Sequence, residues 1–319
     1  MMCRFPLWIA GVCAAALLSL PGIAADVKQT VSASNVDSPS LGYVIRTADA
    51  DSGALEVRAM LGTPGAARFS DPIALPAGAV AAEVAAGHKW VLVIRSNEAV
   101  AFQPAINVAT SIARIGAPAS WAFSPSGTQV ALYYPERGSV LLMSGLPSTP
   151  TLGRTLAIAQ LDSFAVSDSG SFVYSTGGRI LNSDGGLIYQ TAGPMAFEAG
   201  RELLILFDGA NSSLVEAKVA GASTRTIASG LDTPDQLLAG ADKAYAANSA
   251  AGTISVIDYA DGSVVTRTAK ITHLSQSALS GTVLVSFDTN DPAWLVNAQG
   301  LSFVPAIVPA PSPSQQGIQ

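Results

Sequence analysis

The chain has 319 residues, 49% of them hydrophobic and 13% charged, with 29 glycines and 19 prolines as punctuation. Lys and Arg number 17 against 23 Asp and Glu, a net charge of −6 with no basic block, which disfavours nucleic acid and anionic membrane surfaces as partners because both need clustered cations. So few charges leave little for solvated helical faces, and the frequent Gly and Pro imply many strands and turns.

At the N-terminus Arg4 precedes an apolar run over residues 7–20, then Pro21, Gly22 and small residues. This order predicts a secretory signal peptide over residues 1–25, cleaved near Ala24 or Ala25, because the run is shorter than the roughly 20 residues needed to span a bilayer. The small residue that a lipoprotein signal wants ahead of its cysteine is replaced by Val12 before Cys13, so lipidation is not expected. Cys3 and Cys13 both lie in this segment, and the mature chain is expected to carry no thiol, no disulfide and no thiolate metal site. An exported chain without such staples depends on its hydrophobic core.

From residue 42 onward a rhythm sets in. "GYVIRTADADSGALEVRAML" reads as two strands around a turn, and six later segments repeat one order: a short apolar strand, a polar turn ending in Gly, then a second apolar strand. The turn glycines are Gly87, Gly127, Gly170, Gly200, Gly240 and Gly281, spaced by 40, 43, 30, 40 and 41 residues. In "WAFSPSGTQVALYY" the strands are residues 121–123 and 130–134, followed by 140–143 and 154–158. Gly127 suits a tight turn because a positive φ costs it no Cβ clash. Units of about 40 to 45 residues match a four-stranded propeller blade.

Six openings plus the first pair of strands predict an all-β, seven-bladed β-propeller with four-stranded antiparallel blades over residues 26–308. The fourth unit, about ten residues short, is expected to lack a regular outer strand. Residues 27–34 are expected to complete a blade with the C-terminal end and close the ring, since closure removes open sheet edges. Runs such as "WVLVI", "LLILF" and "VLVSF" lack strict alternation, as strands buried on both faces do. Residues 309–319, "PAPSPSQQGIQ", rich in proline and serine, read as a solvated tail.

One unit carries a family resemblance. In "KAYAANSAAGTISVIDYADGSVVTRTAKI", Tyr245, Ala246, Ala247 and Asn248, then Thr253, Ile254, Ser255, Val256, Ile257 and Asp258, resemble the YVTN-type repeat of bacterial surface and secreted β-propellers. "FSPSG" at 123–127 and "VSDSG" at 166–170 resemble first-hairpin turns of WD40-like and TolB-like propellers. The resemblance implies the fold and export, and no particular activity. Read from the residues alone, Asn248 and Asp258 sit at strand ends and are expected to bond turn amides.

The chemistry on offer is sparse. Only two histidines exist, His88 in the turn after a first strand and His273 before one, so they fall on opposite faces of the disc and cannot share a metal. His88 is expected to be a surface turn residue. "DADSG", with Asp49, Asp51 and Gly53, lacks the spacing of a calcium loop and reads as a hairpin turn, as does "DTNDP". No G-x-S-x-G elbow, Walker loop or dinucleotide fingerprint appears. Trp90, Trp121 and Trp294 fall in apolar strands and read as packing between blades.

What remains is one face. Turns before each first strand and between second and third strands place Arg95, Glu98, Glu136, Arg137, Arg179, Asp208, Asn211, Asp235, His273, Asp288 and Asp291 around the axis, a mixed-charge set in a sparsely charged chain. The expected function is a non-catalytic, cofactor-free exported monomer, periplasmic or secreted, that binds a protein or glycan partner in the cell envelope or outside the cell through this face. The partner-binding candidates are Arg95, Glu136, Arg137, Arg179, Asp208, Asp235 and His273. The alternative is a calcium-dependent hydrolase or lyase resembling lactonase-type propellers, with Asn248, Asp288 and Asp291 as ligands and the ion polarising a carbonyl.

Overall fold

A computed structural model describes residues 40–47, 54–63, 65–191, 193–221, 223–271, 273–276, 283–286, 293–297 and 300–304. The expected signal peptide, residues 27–34, Asp49, Asp51, Gly53, Gly281, Asp288, Asp291 and the tail lie outside them.

The described residues form seven antiparallel sheets in chain order. Sheet I holds β1 (Ser40–Thr47), β2 (Leu55–Leu61), β3 (Arg68–Phe69) and β4 (Ile73–Ala74). Sheet II holds β5 (Ala79–Val84), β6 (Val91–Arg95), β7 (Ala99–Gln103) and β8 (Val108–Ala113). Sheet III holds β9 (Ser120–Phe123), β10 (Val130–Tyr134), β11 (Ser139–Ser144) and β12 (Thr151–Ala157). Sheet IV holds β13 (Ser163–Val166), β14 (Phe172–Thr176), β15 (Arg179–Asn182) and β16 (Leu187–Tyr189). Sheet V holds β17 (Met195–Phe197), β18 (Leu203–Asp208), β19 (Ser213–Lys218) and β20 (Thr224–Ser229). Sheet VI holds β21 (Gln236–Ala239), β22 (Lys243–Asn248), β23 (Thr253–Asp258) and β24 (Val264–Thr268). Sheet VII holds β25 (Ser275–Gln276), β26 (Val283–Ser286), β27 (Ala293–Asn297) and β28 (Gly300–Val304).

Sheets II to VII are plain four-strand meanders, the blades of a propeller. Sheet I differs: β1 pairs with β2, and the two-residue strands β3 and β4 both pair with β2, so the sheet is three strands wide. The expectation of seven equivalent four-stranded blades is therefore corrected to six regular blades beside this narrower sheet. Its outer strand is interrupted over residues 70–72, where Pro72 has no backbone N–H to donate to a ladder. Sheet VII draws all four strands from residues 275–304, and the short fourth unit, sheet IV, keeps an outer strand of three residues.

Burial follows strand position. Second strands carry the unbroken apolar runs: every residue of β10 (VALYY) and β18 (LLILFD) is buried. Outer strands such as β12 and β24 are mostly exposed, and first strands such as β9 and β21 are half-buried. Apolar clusters fill the spaces between neighbouring sheets. Trp90, Leu132 and Met143 join sheets II and III, and Leu41 and Met60 of sheet I meet Leu295 and Val304 of sheet VII, which brings first and last sheets together.

Short polar latches align the first turns. The side-chain amide of Gln129 donates to the Asp168 carbonyl at 2.6 Å, and the Ser126 amide donates to the Asp168 carboxylate at 2.8 Å, tying sheet III to sheet IV. The repeat-marking glycines Gly87, Gly127, Gly170 and Gly200 have φ of 77°, 70°, 87° and 76°.

Candidate functional site

The first strands of the six blades face the axis, which explains their partial exposure: one side of each strand packs on a neighbouring sheet and the other lines a channel. Phe123, Phe164, Met195, Phe197, Leu237 and Leu274 give that channel an apolar wall around a cavity of about 210 Å³. Among the described residues, Glu83 is the one charged side chain on the wall. It also borders a second hollow of about 160 Å³, closed by Tyr43, Val44 and Ile45 of sheet I and by His273.

Glu83 stands at the meeting point of three sheets. The Trp121 indole N–H donates to its Oε2 at 2.6 Å, and His273 Nε2 lies 3.3 Å from its Oε1. Strand β5 supplies the carboxylate, β9 the indole, and the turn before β25 the imidazole. The Glu83 side chain keeps 30% of its surface exposed and His273 41%, so both remain reachable from the channel. Toward the loops lies a shallow depression of about 520 Å³ lined by Met195, Leu237 and Leu274 together with Asp162, Asp235, Gln236 and His273.

Of the residues expected on this face, Asp235 and His273 share the rim of that depression. Asp235 is tied back, its carboxylate accepting the Ser249 amide at 2.9 Å. Arg95 is not among the residues lining it; it donates to Glu98 at 2.6 Å, and Ser111 adds a bond to Glu98 at 3.0 Å. The bond from Arg95, then that from Ser111, holds the Glu98 carboxyl below the usual carboxylate range. Glu136 and Arg137 project from a single 3-10 turn, Pro135–Arg137, and Arg137 donates to the Ile115 carbonyl at 3.1 Å. Arg179 is exposed at the start of β15.

Two expectations are corrected. Asp208 is not a surface contact: it is 3% exposed and accepts from Tyr189 Oη at 2.9 Å, Asn211 Nδ2 at 2.7 Å and the Ala210 amide at 3.0 Å. A carboxylate bonded this fully organises its own turn, and the Asn211 bond foremost holds it below its ordinary range. His88 is not a surface turn residue either. It is 5% exposed, because sheet I lies over the turn, and its Nδ1 accepts the Tyr43 amide at 3.2 Å. Burial pulls the imidazole down to about 4.

Of the proposed calcium ligands, Asn248 spends its side-chain oxygen on the Ala251 amide at 2.9 Å, and Asp288 and Asp291 lie outside the described residues; Asp258, expected to bond turn amides, accepts the Ala260 amide at 2.9 Å while pairing with Lys243. Among the described residues no group of three His, Cys, Asp or Glu is placed to hold a metal ion. Glu83 and Trp121 were not singled out as site residues by sequence reasoning. The available signal was a lone carboxylate in the otherwise apolar strand "AVAAEV".

No protein-family model matches the chain, and no curated protein matches it. Solved structures do resemble it. A functionally unknown protein from Desulfotomaculum acetoxidans has a TM-score of 0.53 at 12% identity, covering 79% of this chain and 92% of that one. The β-propeller domain of Myceliophteria thermophila Cps50 (Swd1) has a TM-score of 0.53 at 10% identity, covering 73% and 87%. A chain of the Mitotic Checkpoint Complex has a TM-score of 0.50 at 15% identity, covering 73% and 83%. At these identities the likeness concerns the fold alone, and with the sheet topology it shows a β-propeller of four-stranded antiparallel blades.

Proposed function

We propose that this chain is an exported, non-catalytic propeller that binds a protein partner on the face where Asp235 and His273 flank the channel mouth. The observation that carries the reading is the make-up of that face: apolar Met195, Leu237 and Leu274 share one depression with polar Asp162, Asp235, Gln236 and His273. Protein interfaces combine the same ingredients, a desolvated apolar core and a rim of polar groups. Several loop charges are already pinned, Arg95 by Glu98 and Asp235 by the Ser249 amide, so binding would cost little side-chain ordering. Arg137, Glu136 and Arg179 stand farther out, where charges act chiefly on association rate and orientation.

Propellers commonly serve as protein-binding scaffolds, and the structural relative from the Mitotic Checkpoint Complex is by its description part of an assembly. In this reading the first 25 residues are a cleaved leader, and the protein works as a monomer in the periplasm or outside the cell.

The test is affinity capture from envelope and culture fractions with three immobilised proteins: wild type, Leu237→Arg, and Lys89→Glu, which changes an exposed residue on the opposite turns. A protein retained by wild type and Lys89→Glu but lost with Leu237→Arg is the expected result. Equal retention by all three overturns the proposed face, and retention of glycan alone on a glycan array overturns the protein partner.

A further inference from the structure

We infer that the channel mouth is a receptor for an alkylammonium group, such as a lysine side chain presented by a partner, with the amine at Glu83 and the methylenes along the apolar wall. The inference rests on the proposed binding face and names the chemistry of its centre.

Four observations lead to it. First, among the described residues, Glu83 is the single charged one on a wall otherwise made of aliphatic, aromatic and small side chains. A carboxylate on such a surface gains from a counter-charge that enters with it, because the apolar surroundings strengthen the pairing and supply little competing solvation. Second, its two contacts leave acceptor capacity. A carboxylate offers about four lone-pair positions, and Trp121 takes one while His273 stands 3.3 Å from the other oxygen. The Trp121 bond orients the carboxylate without adding a positive charge.

Third, the space has the right scale and polarity. The hollows on either side of Glu83 measure about 210 and 160 Å³, and an apolar cavity of about 150 Å³ is enough for a benzene ring. Val84, Phe123 and Leu274 line the same hollow as Glu83 and would cover a chain of methylenes. Fourth, apart from His273, the titratable side chains among the described residues lining the entrance are carboxylates. Asp162 and Asp235 line the outer depression, whereas Arg95, Arg137 and Arg179 do not, and the chain as a whole carries −6. That field favours approach of a cation.

The experiment uses the indole region of the ¹⁵N NMR spectrum, with the Trp121 signal assigned through Trp121→Phe. The protein is titrated separately with n-pentylammonium, n-pentanol and pentanoate. The expected result is saturable movement of the Trp121 signal with pentylammonium, at least tenfold weaker binding of pentanol, and none of pentanoate. Glu83→Gln, which preserves an acceptor for Trp121, should lose at least tenfold in pentylammonium affinity at unchanged melting temperature. Pentanol binding as tightly as pentylammonium overturns the inference on the wild type alone, whatever the variant's stability. Partner capture that survives Glu83→Gln but not Leu237→Arg overturns the amine site and leaves the face standing. Capture that survives Leu237→Arg overturns the face, and pentylammonium binding then reports a site for free amines.

Discussion

The Trp90 indole N–H donates to the Gly127 carbonyl at 2.8 Å, so a residue at the head of β6 holds the first turn of the next blade. Trp90 is 1% exposed and meets Phe123 edge-on, with ring centroids 5.4 Å apart. Replacing Trp90 by Phe keeps most of the apolar contact but orphans the carbonyl. The expected cost is about 1–3 kcal/mol, measured by urea unfolding, and the loss should appear as a lower midpoint with an unchanged slope.

Gly127 and Gly200 occupy the same turn in two blades and have nearly the same φ, +70° and +76°. Their surroundings differ. A Cβ on Gly127 would sit 2.1 Å from the Ala86 carbonyl oxygen, whereas one on Gly200 would meet nothing within 4 Å. Gly200→Ala should therefore cost only the left-handed backbone penalty, about 1–2 kcal/mol. Gly127→Ala should cost clearly more, since backbone of sheet II must move. Equal melting temperatures for the two variants would show that the inter-blade contact yields without strain.

His88 adds a pH dependence. Its folded value of about 4 lies below the ordinary 6.5 because burial penalises the imidazolium. Between those values the unfolded chain binds the proton and the folded chain does not, so stability falls as pH drops from about 6.5 to about 4 and levels off below. At 1.36 kcal/mol per unit the full contribution is about 3 kcal/mol. His88→Asn should flatten that part of the stability curve. Gly42→Ala, whose Cβ would lie 2.5 Å from His88 Nδ1, is expected to be destabilising at every pH.

The blades were legible because their physics is local. A second strand buried on both faces needs an unbroken apolar run, as in residues 130–134 and 203–208, and the turn before it often needs a glycine with positive φ. Sheet I was less so: β3 and β4 have two residues each, too few for a period. The site was harder still. Glu83, Trp121 and His273 come from three sheets, and nothing in any one segment announces the others. Asp208 looked like a loop charge because its partner Tyr189 belongs to the preceding blade.

Asp208 separates stabilising from binding roles on the loop face. Its carboxylate receives Tyr189, Asn211 and the Ala210 amide, and removing it leaves those donors without their acceptor in a buried setting. Asp208→Ala should cost about 2–3 kcal/mol, and Asp208→Asn less, because one amide oxygen can still accept. The folded carboxyl lies below its ordinary 3.8. Its contribution is therefore present above the unfolded value and is lost as pH falls through the folded one, a dependence both variants should remove. Partner capture at a temperature where the variants stay folded should match wild type, while Leu237→Arg abolishes it. Loss of capture in folded Asp208→Asn would instead make this carboxylate part of the binding surface.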